Sequence, residues 1–307
     1  MKRIAVAVLA LLCGLEVGAG VVLAQTLRVP FDFSKSEIGI EATVNGEPIY
    51  IMLDTGVAPS VIDFQRAEAL HLKVERKAAD EVSGYGNTEK PTAFPTTIEG
   101  FAIAEHKFKT FNALTTDLSS LSAKYGRPLD AIIGYSFLQD KIVLIDYPGQ
   151  TVFLLGRPSA ARSATKSCRT KWSARMHLLE GENWPLIPQL RLGDAVISAT
   201  LDTGSSGSIT LYEGALDMPG VRSALAQKGE VKAGGFLGEE KRGEYAFNKP
   251  VGFGRFELPP GSDVSLRNVK GDSSNLANVG NKLFATMRLK MMLDYRHRTM
   301  TFFSDCR

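Results

Sequence analysis

The tetrapeptide Leu-Asp-Thr-Gly occurs twice in this chain of 307 residues, at 53–56 and again at 201–204, so the two copies lie 148 residues apart. The same offset links Asp146 in "VLIDYPGQTVFLL" with Asp294 in "MMLDYRHRTMTFF", Ser60 with Ser208, and Val44-Asn45-Gly46 with Leu192-Gly193-Asp194. One spacing shared by landmarks so far apart indicates an internal duplication. Two copies of domain size make two related lobes rather than a solenoid. The reading divides the chain into an N-terminal segment 1–24, a first lobe 25–156, a linker 157–170 and a second lobe 171–307. The linker is placed where "GRPSAARSATKSCRTK" is rich in small and basic residues.

Both lobes read as strand. "GIEATVNGEPIYIMLDTG" alternates apolar and polar residues, turns at Asn45-Gly46 and alternates again, which is a hairpin signature; "LIPQLRLGDAVISATLDTG" repeats it with Gly193-Asp194 at the turn. "TAFPTTIEGFAI", "AIIGYSFL", "KIVLIDY", "GEYAFNKPVGF", "MRLKMMLDY" and "TMTFF" supply further strands. Helix signal is confined to "DFQRAEALHL", "TTDLSSLSAKY" and "YEGALDMP". The expectation is an all-β fold with a few short helices.

The N-terminus reads as an address. Lys2 and Arg3 precede the apolar run "IAVAVLALLCGL", and "VLAQT" offers small-residue cleavage after Ala24, the pattern of a secretory signal peptide. The alternative is an uncleaved membrane anchor, against which Glu16 and the glycines 14, 18 and 20 weigh. Export to the periplasm or beyond follows, with membrane contact only if the segment is kept. Cleavage leaves two cysteines, Cys168 and Cys306, the number for one bridge in an oxidising compartment; two free thiols are the alternative.

Composition removes other classes. Lys plus Arg (36) barely exceed Asp plus Glu (33), too even a balance for a nucleic-acid surface. His71, His106, His177 and His297 are isolated in sequence, without metal-ligand spacing, and "GFLGEEKRGE" lacks a phosphate-binding lysine. No metal and no cofactor is expected.

An apolar-apolar-Asp-Thr-Gly element followed by an apolar-apolar-Gly element resembles the aspartic protease superfamily of pepsins and retropepsins. The elements are "MLDTG" with "IIGYSFL" and "TLDTG" with "NVGNKLF", and "DAIIGYSFLQDKIVLIDYPGQTVFLL" is similar to bacterial retropepsin-like members. The likeness runs over nearly all of the chain after residue 24. It implies two retropepsin-like β-barrel lobes, a polypeptide substrate bound between them, and a monomer, since one chain holds both lobes.

The chemistry agrees with that resemblance. Hydrolysing a peptide without metal or nucleophile needs a base to activate water and an acid to protonate the carbonyl oxygen. Two carboxyls sharing one proton supply both, because like charges held close resist double ionisation. Asp54 and Asp202 are the catalytic candidates, one from each lobe. Gly56 and Gly204 permit the tight turn after the strand. The resemblance implies that Thr55 and Thr203 hydrogen-bond across the lobe junction; the plain alternative is a favourable strand-end residue.

Two positions depart from the family pattern. Ser205 fits the small or hydroxyl residue after the glycine, whereas Val57 offers no hydroxyl to steady a carboxylate, so the two aspartates should be unequal. Asn278 replaces an apolar residue of the second apolar-apolar-Gly element, which is expected to touch packing more than chemistry. By resemblance, "VSGYGNTE" and "AGGFLGEE" are flaps, with Gly84, Tyr85 and Gly86 in the first and Gly235 and Phe236 in the second against the substrate; exposed hairpins without a role are the alternative. In retropepsin-like subunits the terminal strands meet at the lobe junction, which implies a Cys168–Cys306 disulfide. The functional expectation is an exported aspartic endopeptidase. A non-catalytic peptide-binding or regulatory protein on the same fold is the alternative, and Val57 keeps it open.

Overall fold

The computed structural model describes residues 26–81, 92–235, 238–271 and 274–306. The expected signal segment, Gly84, Tyr85 and Gly86, and Phe236 lie outside the described residues.

Alternation becomes hairpins. Gly39–Val44 pairs antiparallel with Glu47–Leu53 around Asn45 and Gly46, whose φ of 53° and 87° suit a two-residue loop that follows the strand twist. Pro185–Leu192 and Ala195–Leu201 repeat the hairpin, with Gly193 at φ 59°. From these cores two sheets grow with one order. The first runs Asp80–Glu81, Thr92–Ile98, Phe111–Thr116, Ser60–Asp63, Ala131–Ile133, Glu47–Leu53, Gly39–Val44, Phe101–Ile103, His106–Lys107. The second runs Leu225–Gly235, Gly238–Phe247, Ser262–Arg267, Ile209–Tyr212, Ala277–Val279, Ala195–Leu201, Pro185–Leu192, Val251–Phe253, Phe256–Leu258. The unusual parallel neighbours recur too: Ala131–Ile133 lies parallel to Ile51–Leu53, and Ala277–Val279 parallel to Ala199–Leu201.

A six-stranded antiparallel sheet joins the halves, in the order Leu27–Pro30, Thr151–Leu155, Ile142–Asp146, Lys290–Asp294, Thr299–Cys306, Cys168–Arg175. Its middle pair places Leu144 opposite Met292, with Ile142 opposite Asp294 and Asp146 opposite Lys290. Leu144 and Met292 are 148 apart in sequence, so the register is symmetric about this pair, and the sequence repeat is a spatial two-fold. Asp146 and Asp294 close the turns beyond these strands, accepting from the N–H of Gly149 and His297, both at 3.0 Å. The apolar core runs unbroken through the sheets, and Trp172, Phe253, Phe284 and Phe302 form an aromatic cluster within it.

Helices appear where read. Phe64–Ala69 is capped by Asp63, which accepts from Arg66 N–H at 3.0 Å, Ser119–Tyr125 ends at Gly126 in the left-handed conformation, and Glu213–Asp217 is a 3₁₀ turn.

Two expectations need correction. "AIIGYSFL" is strand only over Ala131–Ile133; Tyr135–Leu138 is a helical turn. The chain breaks at Gly134 because it passes behind the Asp54 loop, where a Cβ would lie 2.3 Å from the Val57 carbonyl oxygen. Ser60 Oγ accepts from Gly134 N–H at 2.9 Å and bonds Ser136 Oγ at 2.8 Å, fixing the turn. Secondly, strand begins inside the expected linker, at Cys168, after two helical turns at Pro158–Ala161 and Arg162–Thr165. Cys168, Thr170, Trp172 and Ala174 face inward and their basic neighbours face solvent. Cys168 stands opposite Cys306 in the sheet, and the two form a disulfide.

Candidate active site

The chain leaves Glu47–Leu53 at Asp54 and Ala195–Leu201 at Asp202, and the two loops meet. Their threonines bond reciprocally: each N–H donates to the other's Oγ1 at 3.0 Å. Thr55 Oγ1 then donates to Leu201 O at 2.7 Å, and Thr203 Oγ1 to Leu53 O at 2.9 Å. Both side chains are buried, so a slip of either loop would leave paired backbone groups unsatisfied.

Held this way, the aspartates converge. Asp54 Oδ1 accepts from Gly56 N–H at 2.6 Å and from Gly204 N–H at 3.1 Å, while Asp202 Oδ1 accepts from the same Gly204 N–H at 2.9 Å. The two carboxyls are within hydrogen-bonding reach of each other. The glycines are required by contact rather than by backbone angle. A Cβ on Gly204 would lie 2.2 Å from Asp54 Oδ2, and one on Gly56 would lie 2.8 Å from Asp202 Oδ1.

The environments differ. Burial, and after it the charge of Asp202, holds Asp54 well above the ordinary carboxylate range. Burial also raises Asp202, but donors oppose it: first the Asn278 side chain, then the Asp54 carboxyl and the backbone N–H groups of Gly204 and Ser205. Asn278 Nδ2 donates to Asp202 Oδ2 at 2.8 Å. This corrects the expectation that Asn278 touches packing more than chemistry. The hydroxyl of Ser205 accepts from Gly207 N–H at 3.4 Å, and the side chain that donates to Asp202 is Asn278. Beside Asp54, Val57 packs against the apolar cluster that includes Met52 and Tyr125 and offers no donor.

A second support was not read from sequence. Tyr147 O–H donates to Asn281 Oδ1 at 2.8 Å and Asn281 Nδ2 donates to Thr203 O at 2.7 Å, tying the six-stranded sheet to the Asp202 loop. Its trace was the tyrosine that follows Asp146.

The carboxyls open into a cleft of about 770 Å³ between the sheets. Met52, Val61 and Ile132 make an apolar wall on the first side, where buried Glu37 takes a hydrogen bond from Lys124 Nζ at 2.6 Å. On the second side the hairpin Leu225–Gly235 and Gly238–Phe247 lines the cleft through Val231–Gly235. Gly234 reaches Lys124 of the first-lobe helix: a Cβ there would stand 3.6 Å from Lys124 Cδ. Gly235 is thus beside the cleft. On the returning strand of the hairpin, buried Glu240 pairs with Arg242, and Arg267 reaches it from the adjacent strand Ser262–Arg267.

Residues 40–137 match the family model described as aspartyl protease, a span that holds Asp54 and the first apolar-apolar-Gly element and stops before Asp202. No curated protein matches the chain. With the all-β fold, the match supports a likeness to aspartic proteases of the retropepsin-like kind and a function of the protease type. Among the described residues no cluster of His, Cys, Asp and Glu could hold a metal ion, and no helix is long and apolar enough to cross a membrane.

Proposed function

We propose that the chain is an exported aspartic endopeptidase of two lobes, acting as a monomer on extended polypeptide. The observation that carries this is the shared environment of Asp54 and Asp202, two carboxyls that accept from the same Gly204 N–H on loops locked by reciprocal threonine bonds. The ionised carboxyl takes a proton from water as its oxygen attacks the peptide carbonyl carbon. The protonated carboxyl gives its proton to the carbonyl oxygen, forming a neutral gem-diol. Collapse breaks the C–N bond, a proton passes to the departing amine, and the pair returns to one proton. Val231–Gly235 covers the substrate from the second lobe. The N-terminal pattern and the disulfide support an oxidising destination outside the cytosol.

Incubating purified residues 25–307 with a mixed peptide library from acidic to neutral pH, with products read by mass spectrometry, tests the reading. Internal cleavage is expected. Peptides retained by the protein but never cut would favour the binding-protein alternative, for which Val57 beside Asp54 is the specific feature.

A further inference from the structure

The lobes repeat one design, yet Ile132 of the first lobe's apolar-apolar-Gly element is matched by Asn278 in the second. Both stand in the middle of a three-residue strand parallel to the strand that carries the aspartate. An apolar side chain evidently fits this place, so a buried amide there has to repay its desolvation through what it bonds.

Thr200 Oγ1 donates to Asn278 Oδ1 at 2.9 Å and stands 3.3 Å from Ala277 O. The amide carbonyl faces Thr200, and the amide N–H donates to Asp202 Oδ2 at 2.8 Å. A donor in that place favours a charged carboxylate and disfavours an acid O–H on the same oxygen. At the equivalent place by Asp54 stand Ile132 and Val57, neither of which can donate.

We propose that Asn278 is a positioning residue that assigns the negative charge of the pair to Asp202, leaving Asp54 to carry the shared proton. Asp202 then takes the proton from water and Asp54 protonates the carbonyl oxygen, a division of labour that rests on the protease reading above. Among the described residues no other group reverses it. Tyr147 faces Asp202, and Tyr295 and Tyr125 face Asp54; burial raises all three phenols, so they stay neutral. The other charged residues lining the cleft are Glu37, Lys124, Lys232, Arg242, Glu244, Asp263 and Lys282.

The test is a pH titration of the full chain carrying carbon-13 in its aspartate carboxyls, wild type against Asn278→Leu, followed by NMR. The pair should titrate in two steps. Loss of a donor to a charged group should raise the lower step by about one pH unit and leave the upper step in place. The acid limb of kcat/KM should move the same way. A lower step that stays put in folded Asn278→Leu overturns the proposal. Should that variant fail to fold, the wild type still decides. The Asn278 side-chain amide protons should shift with the lower step, and an amide blind to it overturns the proposal. Titration needs no turnover, so a protein that shows these shifts and cuts no peptide would retire the protease reading while leaving the charge assignment standing.

Discussion

The two lobes share strand order, parallel neighbours and the Asp-Thr-Gly loop, but they differ at the points that touch each carboxyl and at their outer edges. Asp54 has Val57 and Ile132 beside it, while Asp202 has Ser205 and the Asn278 amide. At the edges, Leu27–Pro30 is held to Thr151–Leu155 by backbone pairing, whereas Cys168–Arg175 is also bridged to its neighbour by Cys168–Cys306. The comparison teaches that the duplicated fold supplies the geometry of a pair, and that single substitutions within it make the partners unequal.

The largest effect should come from the unmatched bridge. It closes a loop spanning 138 residues, which in the chain-entropy picture stabilises the fold by about 4 to 5 kcal/mol as an upper figure. Replacing both cysteines by serine should lower the denaturant midpoint and loosen the second-lobe edge strand first, seen as faster amide exchange in Cys168–Arg175 than in Leu27–Pro30. Equal exchange in the two edges would break the comparison.

Next come the glycines. Gly204→Ala drives a methyl into Asp54, and displacing a catalytic group by a fraction of an ångström should cost about 100-fold in turnover. Gly56→Ala meets Asp202 at the looser 2.8 Å and should cost less. Parity or the reverse order, measured as kcat/KM on one peptide, would contradict the unequal clearances.

The threonines sharpen the symmetric side. Thr55→Val and Thr203→Val each strip partners from two buried backbone groups, so each should destabilise the fold by about 2 kcal/mol or more, and by the same amount. Urea titration of both variants checks it, and a clear inequality would show that the grip is not two-fold.

The smallest effect is a slope. Asp54 is raised in the folded protein, so its contribution to stability is complete below the ordinary carboxylate pKa of about 4 and is lost as pH rises through the raised value. Asp54→Asn removes that titration. Unfolding midpoints followed from about pH 4 towards neutrality should fall more for the wild type than for the variant. Parallel curves would remove the burial of Asp54 from the account.

Much of this could be read from the chain. The offset of 148 foretold the two-fold, because a duplicated fold keeps its register wherever strands pair. The role of Asn278 was legible in principle: alternation on Ala277–Val279 turns it away from its buried apolar neighbours, on the face that Ile132 presents to the cleft. The sequence weights it toward packing more than chemistry, because nothing local in "NVGNKLF" reveals which loop a three-residue strand will cross. The helical turn at Tyr135–Leu138 was hidden for a similar reason, since Gly134 yields to Val57 from a distant segment. Cys168–Arg175 did alternate, but its exposed basic face gave it the composition of a linker.

The claim that each lobe contributes one indispensable carboxyl is tested most directly by peptide hydrolysis with purified Asp54→Asn and Asp202→Asn, both confirmed folded. The account predicts that each variant loses hydrolysis as completely as the other, since one proton shared by two carboxyls is destroyed by removing either. Substantial turnover surviving in either variant would contradict it.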